Sequence, residues 1–142
     1  MPIEYRILNA GEAHVLSRVA EGVFDYQVDH DLAKTFLSSD CHHIAVAIDA
    51  GTVVGMATGV HYVHPDKPME MWINEVAVAP SHQRKGIGQA VVKALLNHAA
   101  TIGRREAWVL TDYENKAARK TYAAAGGTES QAPSLMVSFD LR

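Results

Sequence analysis

The stretch Asn74-Glu75-Val76-Ala77-Val78-Ala79-Pro80-Ser81-His82-Gln83-Arg84-Lys85-Gly86-Ile87-Gly88 decides the fold of this chain. It predicts a strand that ends at Val78, a short loop, and a helix that begins at two glycines. Glycines let a ligand approach the backbone closely, and the first turn of a helix offers unpaired N–H groups with a partial positive charge. Arg84 and Lys85 add two cations, so the stretch predicts a cradle for a pyrophosphate. The alternative is a tight turn whose glycines serve only packing.

The elements on either side of this stretch predict a sheet with crossover helices. Three strands at 44–48, 53–62 and 71–78 form an antiparallel meander. A helix over 87–102 keeps one apolar face, and Gly103 ends it in a left-handed conformation. A short strand at 107–110 follows, and then an alanine-rich helix over 115–125 that Gly126-Gly127 stops. A strand–helix–strand crossover after a meander predicts a mixed sheet.

The two ends of the chain complete the predicted order of elements. Alternation over 3–7 indicates a first strand, and the apolar period from Glu12 to Phe24 indicates a first helix. Asp29 or His30 opens a second short helix. Alternating apolar residues over 135–141 predict a closing strand. Because no repeat or linker interrupts this order, residues 1–142 are expected to form a single domain.

Composition narrows the class of protein. The 142 residues are 48% hydrophobic and 20% charged, with a net charge of −3, which is typical of a globular domain. The absence of a basic excess argues against nucleic-acid or anionic-membrane partners. Cys41 is the single cysteine and excludes an internal disulfide. With no apolar leader or membrane span in the sequence and no metal-ligand spacing, we expect a cytoplasmic protein without a metal site.

Three motifs give the chain a family resemblance. The segment from Gln83 to Gly88 matches the Gln/Arg-x-x-Gly-x-Gly/Ala signature of the GCN5-related N-acetyltransferases. The 75–78 strand with Pro80 looks like the central strand of that family, and Asn115 with Tyr122 looks like its later helix motif. In length and element order the chain most resembles the aminoglycoside 3-N-acetyltransferase branch. The resemblance implies an α+β fold in which helices flank a central, mixed but mostly antiparallel sheet.

The resemblance also implies acetyl-CoA as the acetyl donor. Its pantetheine arm would pair with the backbone of the central strand as an added strand, and the 107–110 strand would splay away to leave room. Peptide amides after the signature glutamine would receive the pyrophosphate. Gly126-Gly127 departs from the Gly-Phe that the family usually has. The implied cofactor-binding residues are Val76, Ala77, Val78, Gln83, Arg84, Lys85, Gly86, Ile87, Gly88, Gln89 and Asn115.

Acetyl transfer needs an acid and a base. An alkyl ammonium with a pKa of about 10 must lose a proton before it attacks a thioester. Glu75 is the first candidate for the base and Glu70 is the second, and either would act directly or through water. The alternative for Glu75 is that it is a solvated or ion-paired carboxylate on the strand, without a catalytic role. Tyr122 matches the tyrosine that protonates the leaving thiolate in this family. The alternative is that Tyr122 only packs in the core.

The acceptor is the least defined part of the prediction. Asp25, with Asp29 and Asp31, lies in the early region that often borders the acceptor pocket in this family, and Glu70 could contribute. Clustered carboxylates suit a small cationic amine such as an aminoglycoside or a polyamine; helix capping is the alternative. A transferase for protein lysines or N-termini and a non-catalytic CoA-binding module also stay open. Small family members are often dimers, so 135–141 is a candidate edge for a homodimer.

Overall fold

The structure, a computed structural model, describes residues 2–142 and has a five-stranded sheet with the order β1-β2-β3-β4-β5. Three helices accompany it. Short 3-10 turns at Ala13–Ser17 and Pro80–His82 complete the elements. Within the described residues, no helix has both the length and the apolar character that a bilayer crossing requires. In chain order the elements are β1 (Glu4–Ile7), α1 (His30–Ser38), β2 (His42–Asp49), β3 (Thr52–Val60), β4 (Met71–Val78), α2 (Ile87–Thr101), β5 (Ala107–Val109) and α3 (Lys116–Ala124).

The predicted meander is confirmed and forms the centre of the core. β2, β3 and β4 pair antiparallel in sequence order, and β1 adds antiparallel to β2. Six consecutive residues of β2 are buried, from His43 to Ile48. Such a run is typical of a strand that is covered on both faces. α2 covers one face of the sheet with Val91 and Leu95, which are completely buried.

The predicted mixed sheet is also confirmed, and its parallel pair is short. β5 pairs parallel to β4 only from Met71 to Ile73, where Trp72 stacks on Trp108 with ring centroids 5.2 Å apart. Within the described chain, β4 continues to Val78 without a ladder partner on the β5 side. Because β5 ends at Val109 and β4 continues past Ile73, the edge of β4 is open towards its carboxyl end.

The later helices begin and end close to the predicted residues. α2 ends before Gly103, whose φ of 84° is left-handed as expected. α3 ends at the glycine pair, where the N–H of Gly127 donates to the carbonyl of Tyr122 at 2.9 Å and that of Gly126 to Ala123. These two bonds form a Schellman motif, which satisfies carbonyls that the helix end would leave unpaired.

The predicted helix from Glu12 to Phe24 is wrong. Only Ala13–Ser17 forms a 3-10 turn, and the chain then becomes extended. The N–H of Ala20 donates to the carbonyl of Val53 at 2.9 Å, and the N–H of Val53 donates to Arg18 at 2.8 Å. The helical period of the apolar residues is real, but pairing with β3 holds the backbone in another conformation. The second helix is confirmed, since the side chain of Asp29 caps α1 at the N–H of Leu32.

The predicted closing strand over 135–141 is also wrong, since the structure describes these residues without a strand. The segment has no strand pairing, and its apolar side chains are exposed, with Leu135 at 91% and Phe139 at 81%. Alternation specifies a face but supplies no partner, and a strand forms only where a ladder partner is available.

Candidate functional site

The turn between β4 and α2 has the shape of an anion cradle. The first hydrogen bond of the helix runs from the N–H of Ala90 to the carbonyl of Gly86 at 3.1 Å. The N–H groups before it have no partner within the helix and carry its partial positive charge. Arg84 and Lys85 are exposed beside them, and Arg84 has a left-handed φ of 63°.

Gly86 keeps the mouth of this cradle clear. Its φ is 78°, and a Cβ built on it would meet no heavy atom within 4 Å. A side chain there would occupy open space directly in front of the helix N-terminus, so the turn fits a diphosphate that approaches the backbone. Gly88 differs, since its Cβ would contact Thr121 and Val78 at 3.5 and 3.6 Å. The second glycine of the signature therefore lies where α3 and β4 meet α2.

Side-chain contacts fix the loop that leads into the cradle. The Nε2 of Gln83 donates to the carbonyl of Val78 at 3.1 Å, which ties the loop back to β4. Ser81, His82 and Asp49 form a chain, with 2.7 Å from Ser81 Oγ to His82 Nδ1 and 2.7 Å from His82 Nε2 to Asp49 Oδ2. The hydrogen bond with His82 lowers the pKa of the Asp49 carboxyl. These contacts attach the loop to the β2–β3 turn.

The open edge of β4 leads from the cradle to Glu75. Thr58 pairs with Glu75 and Gly59 pairs with Ile73, so Asn74 is an extra residue in β4 and forms a bulge. Bulges re-aim the side chains that follow them. The N–H of Ala79 donates to Val54 of β3, so by alternation the backbone groups of Val76 and Val78 face the strand edge that β5 leaves uncovered. The edge therefore has room for an extended ligand arm that ends beside the Glu75 side chain.

Glu75 lines a cavity of about 380 Å³ under α1. Thr58 on β3 and Ile44 on β2 form its floor together with Glu75. Asp25 and Asp29 line the same cavity from the loop before α1. The neighbouring Asp25 and Asp29 thus share one cavity with Glu75, which is distant in sequence, and the charged lining residues are all acidic.

The structure separates some predicted site residues from this cavity. Glu70 precedes β4, is half-buried and does not line the cavity of Glu75 and Asp25. Asn115 is the N-cap of α3, where its Oδ1 accepts the N–H of Ala118 at 3.0 Å. Tyr122 is half-buried on α3, and burial raises the pKa of its phenol. α3 itself is held against the start of α2, where the Nε2 of Gln89 donates to the carbonyl of Ala124 at 3.2 Å.

Four aromatic and aliphatic cavity residues were not predicted as site residues. Phe24, Tyr26, Leu32 and Phe36 all line the cavity that contains Glu75. Leu32 and Phe36 have the i, i+4 spacing of one helix face, and this spacing is the same for a face that packs in the core and for one that lines a cavity. The exposed side chain of Tyr26 carries no local signal, since only the path of the 18–29 loop brings it to the cavity rim.

Comparison with known proteins gives a family match over most of the chain. The model of the "Acetyltransferase (GNAT) family" matches residues 12–126. This range includes the cradle, the open edge of β4 and all three carboxylates of the cavity. Among curated protein sequences, none matches this chain.

Solved structures with the same fold include three transferases of low sequence identity. An aminoglycoside acetyltransferase from an uncultured soil metagenomic sample, in complex with sisomicin, has 18% identity and a TM-score of 0.79, with 97% of each chain covered. Aminoglycoside acetyltransferase AAC(6')-Iy with a CoA bisubstrate analog has 19% identity and a TM-score of 0.78, covering 99% of this chain and 100% of that one. A ribosomal-protein-alanine N-acetyltransferase from Brucella melitensis biovar Abortus 2308 has 17% identity and a TM-score of 0.72, covering 97% and 100%.

Proposed function

Because this chain belongs to the GNAT acetyltransferase family, we propose that it transfers the acetyl group of acetyl-CoA to the primary amine of a small cationic molecule. The observation that carries the proposal is the position of Glu75. This side chain lies where the open edge of β4, which leads from the cradle, meets an acidic cavity. A donor held along β4 and an amine held in the cavity would meet there.

The donor would be held mainly by backbone groups. In this proposal the N–H groups from Arg84 to Gln89 receive the pyrophosphate, and the two adjacent cations add attraction. The edge from Val76 to Val78 pairs with the pantetheine arm. Asn115 keeps its Nδ2 group for the same arm, because only its Oδ1 is used in capping α3.

Glu75 would remove the proton that blocks attack. The amine has a pKa of about 10 and reacts only after deprotonation, which a carboxylate can assist directly or through water. The nitrogen then attacks the thioester carbonyl carbon to give a tetrahedral intermediate, the C–S bond breaks as this intermediate collapses, and the second proton of the nitrogen passes to water. The N–H of Val76 is the backbone donor nearest to Glu75 on the open edge, so we assign it to the carbonyl oxygen, whose negative charge it would stabilise.

Tyr122 would supply the proton that the leaving thiolate needs. Burial raises the pKa of its phenol, so the phenol stays protonated throughout the neutral range. A thiol has a pKa of about 8.5, and a proton donor whose pKa lies above that value still serves when it is positioned against the sulfur. A protonated Tyr122 would thus be available to the thiolate near pH 7.

The test is a pair of conservative substitutions with a matched control. Glu75→Gln and Tyr122→Phe should each lower kcat by about 10²-fold or more while acetyl-CoA still binds, because general acid–base catalysis contributes that much. Glu70→Gln is the control: it also changes a glutamate next to β4, but one outside the cavity, and kcat should stay within about three-fold. Thiol release measures turnover and calorimetry measures binding. Wild-type kcat in both variants would overturn the assigned roles, and loss of turnover only in Glu70→Gln would move the base to Glu70.

The acceptor classes that the sequence suggests are aminoglycosides and polyamines. Two of the similar structures described above are aminoglycoside acetyltransferases, which supports a small amine. The ribosomal-protein-alanine transferase among them keeps a protein N-terminus as the second candidate. Thiol release over a panel of small amines and peptides separates the two, because a protein-directed enzyme would respond only to peptides. A protein that binds acetyl-CoA but releases no thiol with any acceptor would be a binding module.

We also propose that two copies of the chain associate through the segment 135–141. Its apolar residues, including Val137 at 70% exposure, have no contact with the core, and β5 offers a sheet edge that no strand covers within the described chain. Exposed apolar segments and open sheet edges invite association with a second chain. Light scattering should give a dimer mass, and Val137→Asp combined with Phe139→Asp should give a monomer. A monomer mass for the unaltered chain would contradict the proposal.

A further inference from the structure

The cavity beside Glu75 combines acidic groups with apolar walls. Phe24 and Tyr26 contribute from the loop before α1, and Leu32 and Phe36 contribute from α1 itself. The remaining polar lining residues are few, and no lysine, arginine or histidine is among the residues that line it. The lining therefore favours a ligand with positive charge at one point and little polarity elsewhere.

The carboxylates are unequally available to such a ligand. One oxygen of Asp29 already accepts the N–H of Leu32 at 2.9 Å, so this side chain is partly used by the helix cap. Glu75 and Asp25 are both exposed side chains that line the cavity. An ammonium group can therefore find charged partners in Glu75 on β4 and in Asp25 before α1, while the walls between them offer few further polar partners.

Two of the apolar residues are poorly buried in the chain alone. Tyr26 is 87% exposed and Leu32 is 70% exposed, although both border the cavity. Large apolar side chains at the rim of a pocket gain most from a ligand that removes them from water. An aromatic ring would pack against Phe24 and Phe36, since aromatic pairs favour offset or edge-to-face contact.

From these contacts we infer that the acceptor carries a single primary amine on an apolar body, aromatic or aliphatic, in preference to a polyhydroxylated aminoglycoside or a linear polyamine. The inference rests on the proposed acetyl transfer and specifies its acceptor. A polyhydroxylated ring placed between Phe24, Leu32 and Phe36 would lose hydrogen bonds to water that these walls cannot replace. A linear polyamine would bring additional ammonium groups against the same apolar surface.

The experiment compares acceptors that differ in the body attached to the amine and in the number of amines. Thiol release is measured with 2-phenylethylamine, hexylamine, ethanolamine, spermidine and neamine at equal concentrations. We expect kcat/KM for 2-phenylethylamine and hexylamine to exceed the value for ethanolamine by about ten-fold or more, as burial of an apolar body requires. A higher kcat/KM for neamine or spermidine than for 2-phenylethylamine would overturn the inference and leave acetyl transfer intact.

A variant at the cavity rim tests the contact itself. Leu32→Asn keeps the side-chain size but removes its apolar character, whereas Leu32→Met keeps both. Because this side chain is largely exposed, neither change should affect folding. Leu32→Asn should lower the ratio of kcat/KM for hexylamine to that for ethanolamine by about five-fold, and Leu32→Met should keep the wild-type ratio. Equal losses for hexylamine and ethanolamine in Leu32→Asn would contradict a contact with the body of the acceptor.

A binding measurement separates this inference from the proposed function. Calorimetry with the CoA-saturated protein should show tighter binding of 2-phenylethylamine than of ethanolamine, whether or not acetyl transfer occurs. Binding of this kind without any thiol release would refute acetyl transfer but retain the apolar preference of the cavity. Equal or no binding of the two amines would overturn the inference.

Discussion

The two ends of α2 show how one helix serves two purposes. At its C-terminal end the fold completes its own hydrogen bonds, as the N–H of Gly103 donates to Ala100 at 3.0 Å and that of Arg104 to Ala99 at 2.9 Å. At its N-terminal end the amides before the first helical bond have no helix partner, and a Cβ on Gly86 would lie in open space. The end that the chain satisfies internally is structural, and the end that it leaves open is available to a ligand.

The charges at the two ends differ in the same way. Arg84 and Lys85 are exposed beside the N-terminus, where they can attract an anion. Near the C-terminus, His43 lies between His61 and His98, with nitrogen–nitrogen distances of 2.8 and 3.0 Å. Each of these contacts needs one proton between two ring nitrogens, so the cluster is satisfied when all three rings are neutral. Titration should therefore affect stability at one end of α2, and ligand affinity should depend on the other.

The largest expected difference between the two ends comes from glycine substitution. Gly86 and Gly103 are matched, since their φ angles are 78° and 84° and a Cβ on either would meet nothing within 4 Å. Gly86→Ala and Gly103→Ala should each lower the free energy of unfolding by about 1–2 kcal/mol, the cost of a left-handed alanine. Only Gly86→Ala should also weaken acetyl-CoA binding, by about ten-fold or more in calorimetry, because its methyl group lies in the cradle.

The Gly103→Ala control decides whether the effect of Gly86→Ala can be assigned to the cradle. If Gly103→Ala weakened acetyl-CoA binding as much as Gly86→Ala, the effect would come from general destabilisation of α2. If neither variant changed the affinity, the amides of this turn would not hold the diphosphate, and the proposed mode of donor binding would be wrong.

A smaller difference is expected from pH. Burial, followed by repulsion from His98 and His61, lowers the pKa of His43 from 6.5 to about 4. The unfolded chain, with a pKa of about 6.5, then binds more protons than the folded chain between those two values, so stability is full above pH 6.5 and falls as the pH drops towards 4. We expect a loss of about 1–2 kcal/mol between pH 7 and pH 5, because solvent near the cluster screens part of the shift.

Denaturant titrations at pH 5, 6 and 7 measure this loss. Burial also lowers the pKa values of His61 and His98, which contribute with the same sign. His43→Gln keeps hydrogen-bonding capacity without a titrating group, so its stability should vary less over this range. A wild-type stability that is independent of pH, or one that rises on acidification, would show that the cluster does not disfavour protonation.

The smallest difference is expected from the exposed cations of the cradle. Arg84→Ala and Lys85→Ala should each weaken acetyl-CoA binding by about two- to five-fold at low salt, and less at high salt, as for any exposed charge. Lys93 is the matched control, since it is an exposed lysine in the middle of α2. Lys93→Ala should leave the affinity unchanged at every salt concentration. Equal effects of Lys85→Ala and Lys93→Ala would indicate attraction by net charge alone.

Most of the fold could be predicted from local patterns. The meander, α2 with Gly103, and α3 with its glycine pair each depend on the period of a few neighbouring residues and on turn chemistry. The turn that leads into α2 could be predicted for the same reason, because its glycines, its cations and the helix start are consecutive in sequence. The helix predicted from Glu12 to Phe24 does not form, because pairing with Val53, which is distant in sequence, determines the backbone conformation there.

The candidate site illustrates the same division. The sequence singled out Glu75, Asp25 and Glu70, but only the fold shows that the first two share a cavity and the third does not. The bulge at Asn74 results from the pairing of β4 with β3, and no property of Asn74 alone predicts it. The apolar walls were missed because Leu32 and Phe36 have the same spacing whether they face a core or a cavity.

The sequence by itself thus determined most of the elements, the glycine turn between β4 and α2, and the acidic residues available to the site. The tertiary structure decided which of those residues meet, how apolar their surroundings are, and that His43, His61 and His98 form one cluster. The physical reason is the range of the interactions. Helix periods, caps and turns are fixed by residues a few positions apart. Cavities, bulges and side-chain clusters depend on residues that are distant in sequence, and in the histidine cluster the contacts join residues 18 and 55 positions apart.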